Sequence, residues 1–234
     1  MIDGAGRKRI YRNAHDSMAP TAHEAGPGDR VRPLERRDAP RAASLHATCI
    51  DPGFLSSLGE AFLRQLYSVV PSCPAGFGFV CEGPDGQVLG FIACAESTGL
   101  FIRQAVLRRG VPMALALGWR LLAPSVAKGL LEAWRYPTET AAALPPPGIL
   151  SVAVSPEARG KGVGRALISA ALAEFRRRGI HEVKVAVGSQ GMSNGFYVRC
   201  GFRLADTREL HGRPVNMYVI RTDAPPAAHA PAAR

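Results

Sequence analysis

The chain has 234 residues, 47% hydrophobic and 21% charged, and 29 Lys+Arg against 19 Asp+Glu leave a formal net charge of +10. That balance excludes a disordered, collagen-like or fibrous protein and allows one or two globular domains. The positive excess favours an anionic partner such as a phosphate-bearing ligand, nucleic acid or acidic lipid, although a GC-rich coding sequence would raise arginine with no functional gain.

Residues 1–28 hold no apolar core of a secretory signal and read as a flexible N-terminal tail. Arg30 to Glu35 predicts a short edge strand, because Pro33 would cost a ladder bond in a central one. A helix follows from Ala39 to Cys49, with Pro40 in its first turn and Ala42, Leu45, His46 and Cys49 on one stripe. Asp51-Pro52-Gly53 ends it. Leu55, Leu58, Phe62, Leu66 and Val69 then trace one face of a second helix from Phe54 to about Val70. Phe77 to Cys81 and Gln87 to Ala95 flank the turn Gly83-Pro84-Asp85-Gly86 and predict an antiparallel hairpin.

Gly99 to Tyr136 departs from the strand pattern. It is apolar and basic together, with Arg103, Arg108, Arg109, Arg120, Lys128 and Arg135 against Glu132 alone, and predicts two or three inserted helices. No run of about 20 apolar residues occurs, since Val111 to Trp119 is interrupted by Arg120 and Pro124. Pro137 to Gly148 is a stiff Pro-rich linker. Ile149 to Val154 predicts a buried strand, Gly162 to Arg178 a helix, Val183 to Val187 a strand, and Met192 to Arg199 a short helix. Phe202 to Leu210 and Val215 to Arg221 form a closing hairpin, and residues 223–234, rich in Ala and Pro, a disordered tail. The five cysteines, Cys49, Cys73, Cys81, Cys94 and Cys200, include no CxxC pair and are odd in number. They read as reduced core residues of a cytoplasmic protein, and neither a disulfide framework nor a metal site is expected.

The strongest chemical feature is Arg159-Gly160-Lys161-Gly162-Val163-Gly164, after a strand and opening a helix. Glycines let the backbone curl close to a ligand, the unpaired N–H groups of the helix start point at an anion, and Arg159, Lys161 and Arg165 add charge. The Walker A pattern needs Ser or Thr after Gly-Lys, where Gly162 stands. A dinucleotide fingerprint needs glycine where Arg165 stands. The open readings are a pyrophosphate cradle or a tight strand-to-helix turn. The second feature is Asn194 to Phe202, also following a strand, in which Tyr197 alone would read as a core aromatic.

Together these features resemble the GNAT N-acetyltransferase superfamily from about Arg30 to Thr222. Ile149 to Val154 with Pro156 and Arg159 to Gly164 is similar to its acetyl-CoA segment, and Tyr197 to Phe202 to its Tyr-x-x-x-Gly-Phe signature. The resemblance implies an α/β (α+β) fold, the GNAT acyl-CoA N-acyltransferase fold. Its central sheet is mixed and mostly antiparallel, flanked by helices, and here carries a helical insertion (99–136) between the third and fourth strands, all within one domain, 29–222. It implies acetyl-CoA as co-substrate. Arg159, Gly160, Lys161, Gly162, Val163, Gly164 and Arg165 would hold its pyrophosphate, and Val152, Ala153 and Val154 its pantetheine and thioester. Asn194 would be a further cofactor contact, and Tyr197 the general acid for the departing thiolate.

Two departures stand out. Many members carry a Glu base on the strand before the loop, where this chain has Ile149, Leu150 and Ser151, so the base is unassigned. Glu96, Asp51 and His46 are substitutes, each also readable as a solvated or capping group. The usual Asn seven residues before the Tyr is Gln190. The implied activity is acetyl transfer to a primary amine by direct attack in a ternary complex. The alternatives are a non-catalytic acyl-CoA-binding module and a basic nucleic-acid binder, the latter disfavoured because no helix-turn-helix, zinc or RNA-recognition signature is present. The insertion is open to three readings: a lid meeting an anionic acceptor such as a nucleotide-linked amino sugar, a helix pair on an acidic membrane surface, or a homodimer or core-covering contact.

Overall fold

The structure is a computed structural model and describes residues 28–51, 53–124, 126–131, 147–210 and 212–223. Strands β1 (Arg30–Pro33), β2 (Gly76–Glu82), β3 (Val88–Ala95), β4 (Gly148–Val154), β5 (Glu182–Gly188), β6 (Arg203–Leu210) and β7 (Arg213–Arg221) form one sheet. Their order is β1-β2-β3-β4-β5-β7-β6, and every neighbouring pair is antiparallel except β4 with β5. Pro33 closes β1 on the sheet edge, where its missing N–H costs no central ladder bond. Gly86, at φ 78°, makes the tight turn between β2 and β3.

Helices α1 (Ala39–Cys49), α2 (Phe54–Ser57), α3 (Glu60–Val69) and α4 (Thr98–Leu117) precede a helical segment α5 (126–131), then α6 (Val163–Arg177) and α7 (Asn194–Arg199). Period-two alternation sends Phe91, Ala93 and Ala153 to one face of the sheet, where they meet Leu45, Leu63 and Phe101 of α1, α3 and α4. Ile92, Cys94 and Ile149 go to the other face, against Leu167, Ala171 and Phe175 of α6. The core thus has two layers split by the sheet.

A single helix from Phe54 to Val70 is not what forms. Gly59 stands at φ 88°, outside the right-handed helical region, and divides the segment into α2 and α3. A Cβ there would also lie 2.6 Å from the Arg120 guanidinium. The apolar stripe runs on across the break, so periodicity does not register it. Between β3 and β4, α4 is capped by Ser97 and kinked at Arg109, three residues before Pro112, whose ring cannot sit against the preceding turn of an unbroken helix. Among the described residues no helix is long and apolar enough to cross a membrane. The Pro-rich linker lies mostly, and both tails almost wholly, outside the described residues.

Arg32 and Asp38 form a pair that the linear sequence does not announce. The guanidinium donates to both carboxylate oxygens, at 2.7 and 2.9 Å, and to Glu82 at 2.7 Å. The Glu35 N–H donates to Asp38 as well. Burial would raise the Asp38 carboxyl, but the Arg32 and Glu35 hydrogen bonds outweigh it and hold the group below its ordinary value. The pair fastens β1 to the start of α1.

Candidate active site

β4 and β5 are paired at two positions only, Gly148 with Lys184 and Ile149 with Val185. β4 stays on β3 as far as Val154, and β5 stays on β7 as far as Gly188, so the two strands part into a wedge. A bulge accounts for the parting. Cys94 faces Ile149 but Ala93 faces Ser151, leaving Leu150 as the extra residue. A bulged strand bends and twists more strongly at that point. Val152, Ala153 and Val154 therefore have one edge of backbone without a β5 partner, able to take an extended ligand as an additional strand.

The glycine loop lies at the end of this edge. Gly160 and Gly162 have φ 75° and 88°, and a Cβ at Gly160 would meet nothing within 4 Å. Gly162 is the N-cap of α6. Among the described residues, the N–H groups of Gly160, Lys161 and Gly162 have no backbone acceptor, and Val163, Gly164 and Arg165 form the first helical turn. These donors and the positive end of α6 suit a diphosphate. Arg159 and Lys161 are exposed beside them, with Arg159 Nε donating to Val154 O at 3.4 Å. Arg165 Nη2 donates to Arg199 O at 3.4 Å, linking α6 to α7. The residues present fit the pyrophosphate and pantetheine of acetyl-CoA.

Tyr197 is buried in the same apolar cluster as Val152, Val154 and Val163. Phe196 and Phe202 meet its ring edge-on at 5.2 and 5.4 Å, and Tyr218 stacks on it at 6.3 Å. Burial pushes its phenol up, so it holds its proton throughout the neutral range. Asn194 is fully engaged within the protein. Its amide donates to Gly188 O and Gly191 O at 2.9 and 2.7 Å, and its Oδ1 accepts from Asn216 and Tyr218 at 2.9 and 3.0 Å. It ties the exit of β5 and the start of α7 to β7.

The three substitutes for a base differ in position. Glu96 is held by Arg178 at 2.6 Å, beyond the end of β3 that pairs with Gly148. Asp51 is exposed next to Gly191. His46 is buried, 3% exposed, inside a polar chain that crosses the core. Its Nδ1 lies 2.5 Å from the Tyr67 hydroxyl and its Nε2 3.2 Å from Ser56 Oγ. Tyr67 donates to Ser151 Oγ at 3.0 Å, and Ser151 to Leu150 O at 2.8 Å. Burial lowers His46 to about 4 and raises Tyr67, so both are neutral at pH 7. Tyr67 and Ser151 are what reading by motif misses. The available signal was His46 itself, since an imidazole on a buried stripe requires polar partners from another element.

Residues 129–202, the stretch that holds β4, α6, β5 and α7, match the Acetyltransferase (GNAT) family. The family match is to that segment, and the likeness of the whole chain to solved structures is one of fold. Several solved structures of the Vibrio cholerae spermidine N-acetyltransferase SpeG share the architecture. A mutant form matches at 17% identity and TM-score 0.51, over 84% of this chain and 95% of that one. A chimera with hSSAT matches at 18% and 0.53, over 83% and 96%, and a dodecameric form at 17% and 0.50, over 84% and 95%. No curated protein matches the sequence. Leu150 is at once the bulge residue and one of the three positions, Ile149 to Ser151, at which the resemblance leads one to expect a Glu base. Its side chain packs against the core on the α1–α3 face. Among the described residues no cluster of His, Cys, Asp and Glu could hold a metal.

Proposed function

We propose that this protein is an acetyl-CoA-dependent N-acetyltransferase that acetylates a primary amine by direct attack in a ternary complex. The observation that carries the reading is the two-rung pairing of β4 with β5, which leaves a wedge ending at a glycine loop rich in unpaired N–H groups. Acetyl-CoA supplies the activated acyl group as a thioester. Gly160 to Arg165 bind its diphosphate through backbone donors and the α6 terminus, with Arg159 and Lys161 adding charge. Val152 to Val154 offer backbone groups to the pantetheine and an N–H to the developing oxyanion. Tyr197, kept protonated by its apolar surroundings, donates to the departing sulfur. Asn194 acts by holding α7, and hence Tyr197, against β7.

The acceptor is a small amine admitted between the diverging strands. SpeG is named as a spermidine enzyme, but the +10 charge of the present chain opposes a polycation and favours an acceptor with an anionic portion. Titration calorimetry of coenzyme A into the protein, followed by a thiol-release assay with acetyl-CoA and a panel of primary amines, tests the proposal. Heat on binding with thiol release supports it. Binding without release for any amine would favour a non-catalytic acyl-CoA-binding module, the reading suggested by apolar Leu150. Absence of binding would overturn both.

A further inference from the structure

We propose that Ser151, Tyr67 and His46 form a proton relay that carries the acceptor amine's proton from the β4 wedge to Ser56 near the surface, in place of a carboxylate base. The inference rests on the acetyltransferase reading. It starts from the position of Ser151, next to Leu150 at the bulge and two residues past Ile149, the last β4 residue paired with β5. From there the contacts are continuous: Ser151 Oγ to the Tyr67 hydroxyl 3.0 Å, Tyr67 to His46 Nδ1 2.5 Å, and His46 Nε2 to Ser56 Oγ 3.2 Å. Ser151, Tyr67 and His46 are buried, whereas Ser56 is partly exposed. The chain thus spans the helical layer from the sheet to its outer side.

Every member can both accept and donate, which a relay requires and a purely structural hydrogen bond does not. With Nδ1 protonated, His46 donates to Tyr67, Tyr67 to Ser151, and Ser151 to Leu150 O. With Nε2 protonated, the sense reverses, and Ser151 can donate to Tyr67 and Tyr67 to His46. Phe91 meets the Tyr67 ring edge-on at 4.8 Å and fixes it between the two partners. Passage of one proton along the row, entering His46 at Nδ1 and leaving from Nε2, needs no lasting imidazolium, consistent with an imidazole that burial keeps neutral.

The atoms balance. The amine nitrogen forms a bond to the acetyl carbon, and the carbon–sulfur bond breaks. The proton surplus on nitrogen goes to Ser151 and out along the row, the sulfur takes a proton from Tyr197, and Tyr197 regains one from solvent. The net change is amine and thioester to amide and thiol.

The relay is tested with Tyr67→Phe, Ser151→Ala and the conservative Ser151→Thr, using thiol release from acetyl-CoA with alkylamines and with hydroxylamine. Hydroxylamine, a weak base, forms an adduct acidic enough to lose its proton to water unaided. Tyr67→Phe and Ser151→Ala should lower kcat for alkylamines by ~100-fold, at the lower end of general-base effects. KM for acetyl-CoA should stay within about twofold while the hydroxylamine rate falls by less than about threefold, since only the proton step is affected. Ser151→Thr should retain most of the alkylamine rate. Equal losses for both nucleophiles, or an unchanged alkylamine rate in Tyr67→Phe, would overturn the relay. A wild-type protein that releases no thiol with either nucleophile would overturn the transferase reading itself, a separate result.

Discussion

A Cβ on Gly90 would stand 2.9 Å from the carbonyl oxygen of Ala153. The same Cβ would lie 3.1 Å from Val163 and 3.2 Å from Leu167, the first turns of α6. Gly90 on β3 therefore sets how closely the glycine loop and α6 approach β4. Gly90→Val should destabilise the fold by ~1–3 kcal/mol through overpacking, because the carbonyl is backbone and cannot rotate aside. It should also weaken coenzyme A binding by moving the cradle from the strand edge. Urea titration and calorimetry on one preparation check both effects, and unchanged stability would refute the packing argument.

Gly162 gives a cleaner perturbation of the cradle. Its φ of 88° places a side chain under strain, and the position is exposed at the mouth of α6. Gly162→Glu adds a like charge where the diphosphate would sit. Coenzyme A affinity should fall by at least ~100-fold, as expected when a charged contact turns repulsive, while the melting temperature changes by only a few degrees. Affinity within about threefold of wild type would place the diphosphate elsewhere.

Tyr197→Phe removes one hydroxyl from a well-packed aromatic cluster. If that hydroxyl protonates the leaving thiolate, kcat should fall by about 10–1000-fold with coenzyme A affinity nearly unchanged. Steady-state thiol release alongside calorimetry separates the two quantities. A full rate in the variant would remove Tyr197 from the chemistry and leave it as core.

Acid stability reports on His46. In the folded protein the imidazole titrates at about 4 rather than 6.5, because burial opposes its charge. Between those values the unfolded chain binds the extra proton, so the stability is complete above pH 6.5 and is lost progressively as pH falls toward 4. The loss is on the order of 3 kcal/mol. Denaturation midpoints measured from pH 7 to pH 4 should slope downward in wild type and less so in His46→Gln. Parallel slopes would mean that His46 is not held neutral.

How much of this was legible in the chain follows from the range of each interaction. The stripe Ala42, Leu45 and His46, the turn around Gly86 and the paired glycines at 160 and 162 each depend on neighbours within a few residues, and all three emerge at their expected places. The break at Gly59 was hidden because the apolar spacing continues through it. The bulge at Leu150 was hidden because it exists only relative to β3, where Ala93 and Cys94 skip one residue of β4. The tie from Asn194 to β7 was hidden as well, because its carbonyl oxygen accepts from Asn216 and Tyr218, more than twenty positions away.

By itself the sequence determined the alternation of helices and strands, the anion-attracting loop after β4 and the aromatic helix after β5, because periodicity, glycine and charge act locally along the backbone. Only the tertiary structure decided that β4 and β5 separate after two rungs, and that a histidine, a tyrosine and a serine from α1, α3 and β4 meet in one hydrogen-bonded row. Those features arise where segments distant in the chain pair within the sheet or pack together on one of its faces, and close approach of buried polar groups is selected by burial and not by spacing in the chain.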